Sequence, residues 1–343
     1  MSSSDVTVDG LKGIRPGREA MTGSNHVREG QPGKRRRRRG GRGSMVPEAE
    51  FSSYYGRPIV KEATWAAPDI AGYLFLGGLA GASSALAAGA QLSGRPGLAR
   101  PLKLGACGAI YVSLAALVHD LGRPSRFLNM LRVFKPTSPM SVGVWILSAY
   151  APAATAAALG ELSGRARALT VAGSTAAGLL GPAVASYTAV LIANTATPAW
   201  HDGHREMPFV FVGSAASAAA GLGLLCAPLR ENAPALRLAV IGASVEMAAV
   251  QVMERRIGIV AENYHQGRAG KLMRTAEALT LAGVAGALTR GRRSRRVSAL
   301  SGAALLAASA CARFGIFDAG LRSARDPRYT VTPQRERLQA QRG

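Results

Sequence analysis

Apolar and polar positions follow one another along this chain in long blocks, not with the short period of a surface helix or an edge strand. Runs rich in Ala, Gly, Leu and Val occur at about 68–92, 102–118, 139–159, 168–193, 207–229, 234–252, 275–288 and 297–317. Most are long enough to cross the roughly 30 Å hydrocarbon layer of a bilayer, which takes an α-helix about 20 residues. A preceding stretch, 45–67, is amphipathic and ends in Trp65, which reads as an anchor at the membrane–water interface. The pattern predicts an all-α membrane protein with about eight transmembrane helices over 68–317. Before it come a disordered basic tail over 1–44 and a pre-membrane segment over 45–67, and a polar C-terminal tail over 318–343 follows.

An even number of crossings returns the chain to the side on which it began. The second, fourth and sixth connections then share a face with the N-terminus, and His119, His201, His204 and His265 all fall there, together with Asp69 and Asp120. The odd connections are short and carry Arg95, Arg100, Lys103, Arg165, Arg167, Arg230, Arg237, Arg290, Arg292, Arg293, Arg295 and Arg296. Arginine concentrated in short loops favours a cytoplasmic position for them and an exoplasmic one for the histidine face. The run Arg35–Arg39 argues for the reverse.

Composition sharpens this picture. Of 343 residues 48% are hydrophobic, only 6% aromatic, and 41 are glycine, the mixture that lets membrane helices approach closely through small residues. The net charge of +22 raises nucleic-acid binding, but the charges sit in short loops and tails and not along one groove, so no nucleic-acid partner is expected. Cys107, Cys226 and Cys311 lie singly inside apolar runs, without the spacing of a zinc or iron–sulfur site, and read as small buried residues. Residues 1–44 lack the apolar core of a cleavable signal. They read as a disordered tail, as sequence upstream of a start at Met45, or as a basic tail that binds anionic lipid.

The chemistry concentrates in the connection that begins at His119. A polar, cationic loop of roughly twenty residues between two spans is long for a mere link. It holds His119 and Asp120, then Arg123, Arg126, Arg132 and Lys135, then two prolines ahead of the next helix. A cationic cap that only orients the helices would look similar. Haem is not expected, because every histidine lies at a helix end or in a loop and none faces another within the membrane. Glu246 is the one carboxylate in the middle of a span. It fits either a solute or ion carrier or a side chain hydrogen-bonded to a neighbouring helix. What remains is a site for an amphipathic ligand near one surface, lined by His119, Asp120, Arg123, Asp69, Tyr73 and Tyr187. A quinone suits such residues: its ring oxygens need hydrogen-bond donors, its reduction consumes protons, and its tail prefers lipid. The plainer readings are that both tyrosines are packing residues and that Asp69 is an N-cap.

The stretch His119-Asp-Leu-Gly-Arg-Pro-Ser-Arg-Phe-Leu-Asn-Met-Leu-Arg-Val-Phe-Lys-Pro-Thr-Ser-Pro-Met-Ser-Val-Gly-Val-Trp closely resembles the loop after the second span in NrfD-like membrane subunits of polysulfide reductase and related molybdoenzymes. Tyr54-Tyr-Gly-Arg-Pro, Tyr73-Leu-Phe-Leu-Gly-Gly-Leu-Ala-Gly, Tyr187-Thr-Ala-Val-Leu-Ile, Pro198-Ala-Trp-His and Ser323-Ala-Arg-Asp-Pro-Arg-Tyr-Thr-Val-Thr-Pro-Gln-Arg are similar to that family as well. The resemblance implies two four-helix bundles with no haem or iron–sulfur cluster of their own. They would exchange electrons between menaquinone or ubiquinone and a ferredoxin-like iron–sulfur subunit, itself joined to a molybdopterin catalytic subunit. It carries the polar residue opening span one onto Asp69, the His-Asp pair onto His119 and Asp120, and the span-four tyrosine onto Tyr187; with the residues read above, quinone contacts are expected of His119, Tyr187, Asp69, Tyr73 and Arg123, and proton relay of Asp120 and Asp69. Partner docking is expected, from their charge and position, of Arg126, Arg132, Lys135, His201 and His204. The chain departs from the family pattern at Ala189, where glycine is usual, and at Ala66-Ala-Pro-Asp, where an aromatic and a glutamate or histidine are expected. A purely structural anchor and a solute carrier are the alternatives.

Overall fold

Six helices begin on a proline in their first turn, where its fixed φ suits a helix and its missing N–H is not needed. The computed structural model describes residues 59–164 and 166–341, together with the backbone of a short antiparallel pair, Val6–Thr7 with Gly10–Leu11. The rest of the basic tail, most of the pre-membrane segment with Tyr54-Tyr-Gly-Arg-Pro, and Arg165 lie outside the described residues.

In chain order the helices are α1 (Ala67–Leu92), α2 (Pro96–Asp120), the short α3 (Arg126–Leu131), α4 (Pro139–Ser163), α5 (Arg167–Ala193), the short α6 (Pro198–His201), α7 (Met207–Cys226), α8 (Ala233–Ile257), the short α9 (Glu262–His265), α10 (Gly267–Leu288), α11 (Arg295–Arg325) and α12 (Arg328–Ala340). Eight are long. Seven of the long segments are apolar enough to span a membrane. In α10 the positions Arg268, Lys271, Arg274 and Glu277 make the first half polar, although its 22 residues reach about 33 Å.

The long helices close into two rings. In the first, α1 packs on α2, α2 on α4, α4 on α5 and α5 back on α1; in the second, α7, α8, α10 and α11 do the same. The rings meet where α1 lies against α7 and α11, and α5 against α7. Helices in lipid gain little from hiding apolar surface, so close packing through small residues must supply the adhesion. At the α1–α5 crossing Gly81 and Gly181 face each other, and a β-carbon on either would overlap the other's carbonyl oxygen. Gly221 and Gly302 repeat this arrangement between α7 and α11.

Several expectations need correction. α2 starts at Pro96, not near residue 102, so Arg100 and Lys103 belong to the helix. α11 runs to Arg325 and α12 covers most of the expected tail. Trp65 does not stand free as an interface anchor: it is half-buried and stacks on Trp200, with ring centres 5.9 Å apart. The cysteines are not a buried set either, since Cys226 is exposed and Cys107 and Cys311 are half-buried; on the outside of a membrane bundle a small apolar residue meets lipid at little cost.

Gly181→Val should destabilise the first ring, because the added methyl groups have no room at the crossing; overpacking of this kind costs about 1–3 kcal/mol. Unfolding of the detergent-solubilised chain should report it, whereas Gly89→Ala, at a position with open space around it, should be neutral.

Candidate functional site

Helix directions alone place four histidines on one face. α2, α5, α8 and α11 end there, α1, α4, α7 and α10 begin there, and His119, His201, His204 and His265 lie at those ends or in the links between them.

The α1–α5 crossing also sets the register above it. Tyr73 lies two turns from Gly81 toward this face on α1, and Tyr187 lies six residues from Gly181 toward it on the antiparallel α5, so both rise by about 9–12 Å. Their hydroxyls meet in a buried hydrogen bond. The Tyr187 ring rests on Gly143 of α4, where a β-carbon would collide with it. The glycine of the Ser-Val-Gly-Val-Trp motif therefore makes space for the span-four tyrosine. Of the two hydroxyl protons in this pair, one serves the mutual bond, and the other has no acceptor among the described residues.

One helical turn above Tyr73, Asp69 pairs with His119 at the end of α2, Oδ2 to Nδ1 2.9 Å. The imidazole side chain is 80% exposed while the carboxylate is 21% exposed, so the pair joins the buried region to water. The Ala66 N–H donates to Asp120 Oδ1 at 3.4 Å, which ties the start of α1 to the end of α2. Asp69, Tyr73, His119, Asp120 and Tyr187 thus gather in the first ring. Asp69 is no N-cap: its side chain is committed to His119, and the α1 N-cap position is Ala66.

The cationic connection behaves differently. Arg123, Arg126, Arg132 and Lys135 are all exposed. Arg126 donates to the Leu121 carbonyl at 3.2 Å. The exposed Arg123 side chain has no hydrogen bond or ion pair among the described residues, to the tyrosine pair or to anything else. The end of the connection is pinned by the α4 motif: Ser141 Oγ donates to the Val133 carbonyl at 2.8 Å and accepts from the Lys135 N–H at 2.9 Å, while Trp145 Nε1 donates to the Val133 carbonyl at 3.1 Å. Phe134 packs edge-on against Trp145 and remains 72% exposed.

His201 and His204 form a separate cluster. Their neighbour Trp200 is completely buried, stacked between Trp65 and Phe317, and donates to the Ile316 carbonyl at 2.8 Å. The Ala199 carbonyl accepts from the Tyr264 hydroxyl at 2.7 Å, and the Ala199 N–H donates to Ser323 Oγ at 3.1 Å. The Pro-Ala-Trp-His motif is thus the keystone between the rings on this face. Around the histidines a cleft of about 460 Å³ opens beneath α12, lined also by Asp202, Arg256 and Arg337.

The family described as polysulphide reductase, NrfD, matches residues 60–261, which take in the whole first ring, α7 and α8. The chain belongs to the NrfD family. It is a multi-pass membrane protein. No curated protein matches it. The NrfD match covers Asp69, Tyr73, the His119 connection, Tyr187 and the Trp200 keystone, and it stops before the motif at 323–335.

Two features of this NrfD chain escape sequence reading. Arginine clamps stitch the histidine face together, among them Arg256, which grips Glu206 with two bonds of 2.7 and 2.5 Å, Arg325, which meets Glu62 at 2.5 Å, Arg328, which meets Glu262 at 2.5 Å, and Arg337, which meets Asp202 at 2.9 Å. Only the similarity of the 323–335 segment to the family hinted at them. The second is Arg313, in the middle of α11 and 1% exposed. Its guanidinium lies 3.7 Å over the Phe211 ring, donates to the Phe211 carbonyl at 2.7 Å and faces Glu246 electrostatically, while Nε and Nη1 lack partners among the described residues. Glu246, which faces Ser214 of α7, therefore has a cationic partner inside the second ring. A lone arginine in an apolar run was the available signal.

The Arg256 and Arg325 hydrogen bonds hold the Glu206 and Glu62 carboxyls below their ordinary value of 4.5. A carboxyl lowered by folding stabilises the fold fully above the unfolded value and loses that contribution as pH falls through the lowered one. Thermal unfolding of the solubilised chain should therefore occur at falling temperature below about pH 4.5, and Glu206→Gln should remove part of this acid dependence. At neutral pH the variant should lose about 1 kcal/mol, the upper range for a partly exposed ion pair.

Proposed function

We propose that this NrfD-family chain is the quinone-interacting membrane subunit of a redox complex, exchanging electrons between a membrane quinone and an iron–sulfur subunit that serves a molybdopterin catalytic subunit. The reading rests chiefly on the buried Tyr73–Tyr187 pair with its spare proton, set one turn below the Asp69–His119 pair that reaches water. Menaquinone and ubiquinone both present a carbonyl oxygen that can accept that proton's hydrogen bond, and both carry a tail that prefers lipid. When bound, the quinone supplies the two-electron redox chemistry. The chain's own part is to orient the ring oxygen from the tyrosines and to move protons between the buried hydroxyls and water through His119, with Asp69 holding the imidazole and Asp120 beside it.

Docking of the iron–sulfur subunit fits the same face. Arg123, Arg126, Arg132 and Lys135 project beside exposed Leu128, Val133 and Phe134, a cationic rim with apolar anchors of the kind that binds an acidic protein surface. His201 and His204 extend this surface over the second ring. The arginine-rich opposite face would lie in the cytoplasm.

In the assembled complex, His119→Ala and Tyr187→Phe should each lower quinone-linked turnover by about 100-fold, the low end for loss of a general acid–base group, while artificial electron acceptors that bypass the membrane subunit keep their rates. Unchanged quinone-linked turnover in both variants would sink the site assignment. Absence of saturable quinone binding to the complex would identify a structural anchor instead, and solute flux through liposomes holding this chain alone would identify a carrier.

A further inference from the structure

The face opposite the histidines carries a cavity of about 590 Å³ where the α1–α2 turn meets the ends of α4 and α5. Gln91, Arg95, Lys103, Glu161, Arg167 and Thr170 line it. Lys103 is already neutralised, its Nζ 2.7 Å from Glu161 and its side chain 4% exposed. The Arg95 and Arg167 side chains have no hydrogen bond or ion pair among the described residues, so the cavity keeps an excess of two positive charges. The Gln91 Oε1 is buried there without a hydrogen-bond partner among the described residues. α2 and α5 both begin at this place without a side-chain cap, and their dipoles add further positive potential. Leu92 and Val171, also in the lining, are 80% and 42% exposed and form an apolar rim to the cavity.

We propose that this cavity binds the phosphate headgroup of an anionic phospholipid from the leaflet opposite the histidine face. Two unpaired guanidinium groups are suited to phosphate oxygens, which they grip with paired hydrogen bonds. Free phosphate shares that chemistry. The apolar rim distinguishes the two, because Leu92 and Val171 offer acyl chains a surface that a soluble anion cannot use. Basic pockets between membrane helices are where anionic headgroups settle.

The test is native mass spectrometry of the full chain, delipidated in mild detergent and titrated with phosphatidylglycerol, phosphatidylcholine or inorganic phosphate. One phosphatidylglycerol should bind at least tenfold more tightly than phosphatidylcholine. Arg95→Gln with Arg167→Gln should weaken it about 30-fold, two basic residues at about 1 kcal/mol each. Arg292→Gln with Arg293→Gln, which removes the same charge from the same face outside the cavity, should leave binding unchanged. Leu92→Glu, at the exposed rim, should weaken it as well and keeps the question open to measurement if the double variant misfolds. Equal affinity for the two lipids, wild-type affinity in the cavity variants, or displacement of the lipid by millimolar phosphate would overturn the proposal, the last by making the cavity a site for a free anion.

Discussion

The backbone contact of α1 with α5 at Gly81 and Gly181 is the constraint from which the geometry of the first ring follows. Lipid gives two helices little reason to adhere through apolar side chains alone, so they hold where backbones come near enough for dense van der Waals contact. Once that contact is fixed, helix rise determines which residues meet above it, and Tyr73 finds Tyr187. Gly143 then supplies the space that the Tyr187 ring needs. The buried hydroxyl pair is a consequence of how two glycines touch about 10 Å below it.

A different principle holds the histidine face. There water and headgroups replace hydrocarbon, charged side chains can be used freely, and the links between helices are long. Trp200 fills the junction of the two rings completely, and arginine clamps bind Glu62, Asp202, Glu206 and Glu262 around it. Each clamp alone is a modest interaction. Together they fasten the approach to α1, the α6 turn and α12 onto one surface, beside the exposed cationic connection. The opposite face has short turns and an ion pair drawn inside, Lys103 with Glu161, while the Arg95 and Arg167 side chains have no ion pair among the described residues. The two ends of the molecule are thus built for different neighbours.

Arg313 and Glu246 show the cost of polarity at depth. The guanidinium is accommodated by an aromatic face, one carbonyl and the carboxylate across the ring, which compensate a charge that the hydrocarbon layer strongly disfavours.

The block pattern of apolar residues was enough to determine an all-helical membrane chain and the even count of long helices, because burial in lipid forces every span to satisfy its own backbone. The one-sided histidines followed from counting alone. The loop motif was legible as a family resemblance, and the family match agrees with it over 60–261. Helix ends were less legible: α2 and α11 run on through polar residues, because beyond the hydrocarbon a helix needs no apolar side chains. Sequence could place Asp69, Tyr73, His119 and Tyr187 on one side of the membrane, but not in contact. It could not tell that Tyr73 meets Tyr187, that Trp65 packs on Trp200, or that Arg313 faces Glu246. Those outcomes depend on which helices are neighbours and on their relative register, and both are set by side-chain volumes at crossings far apart in the chain, a property of pairs that no single segment contains.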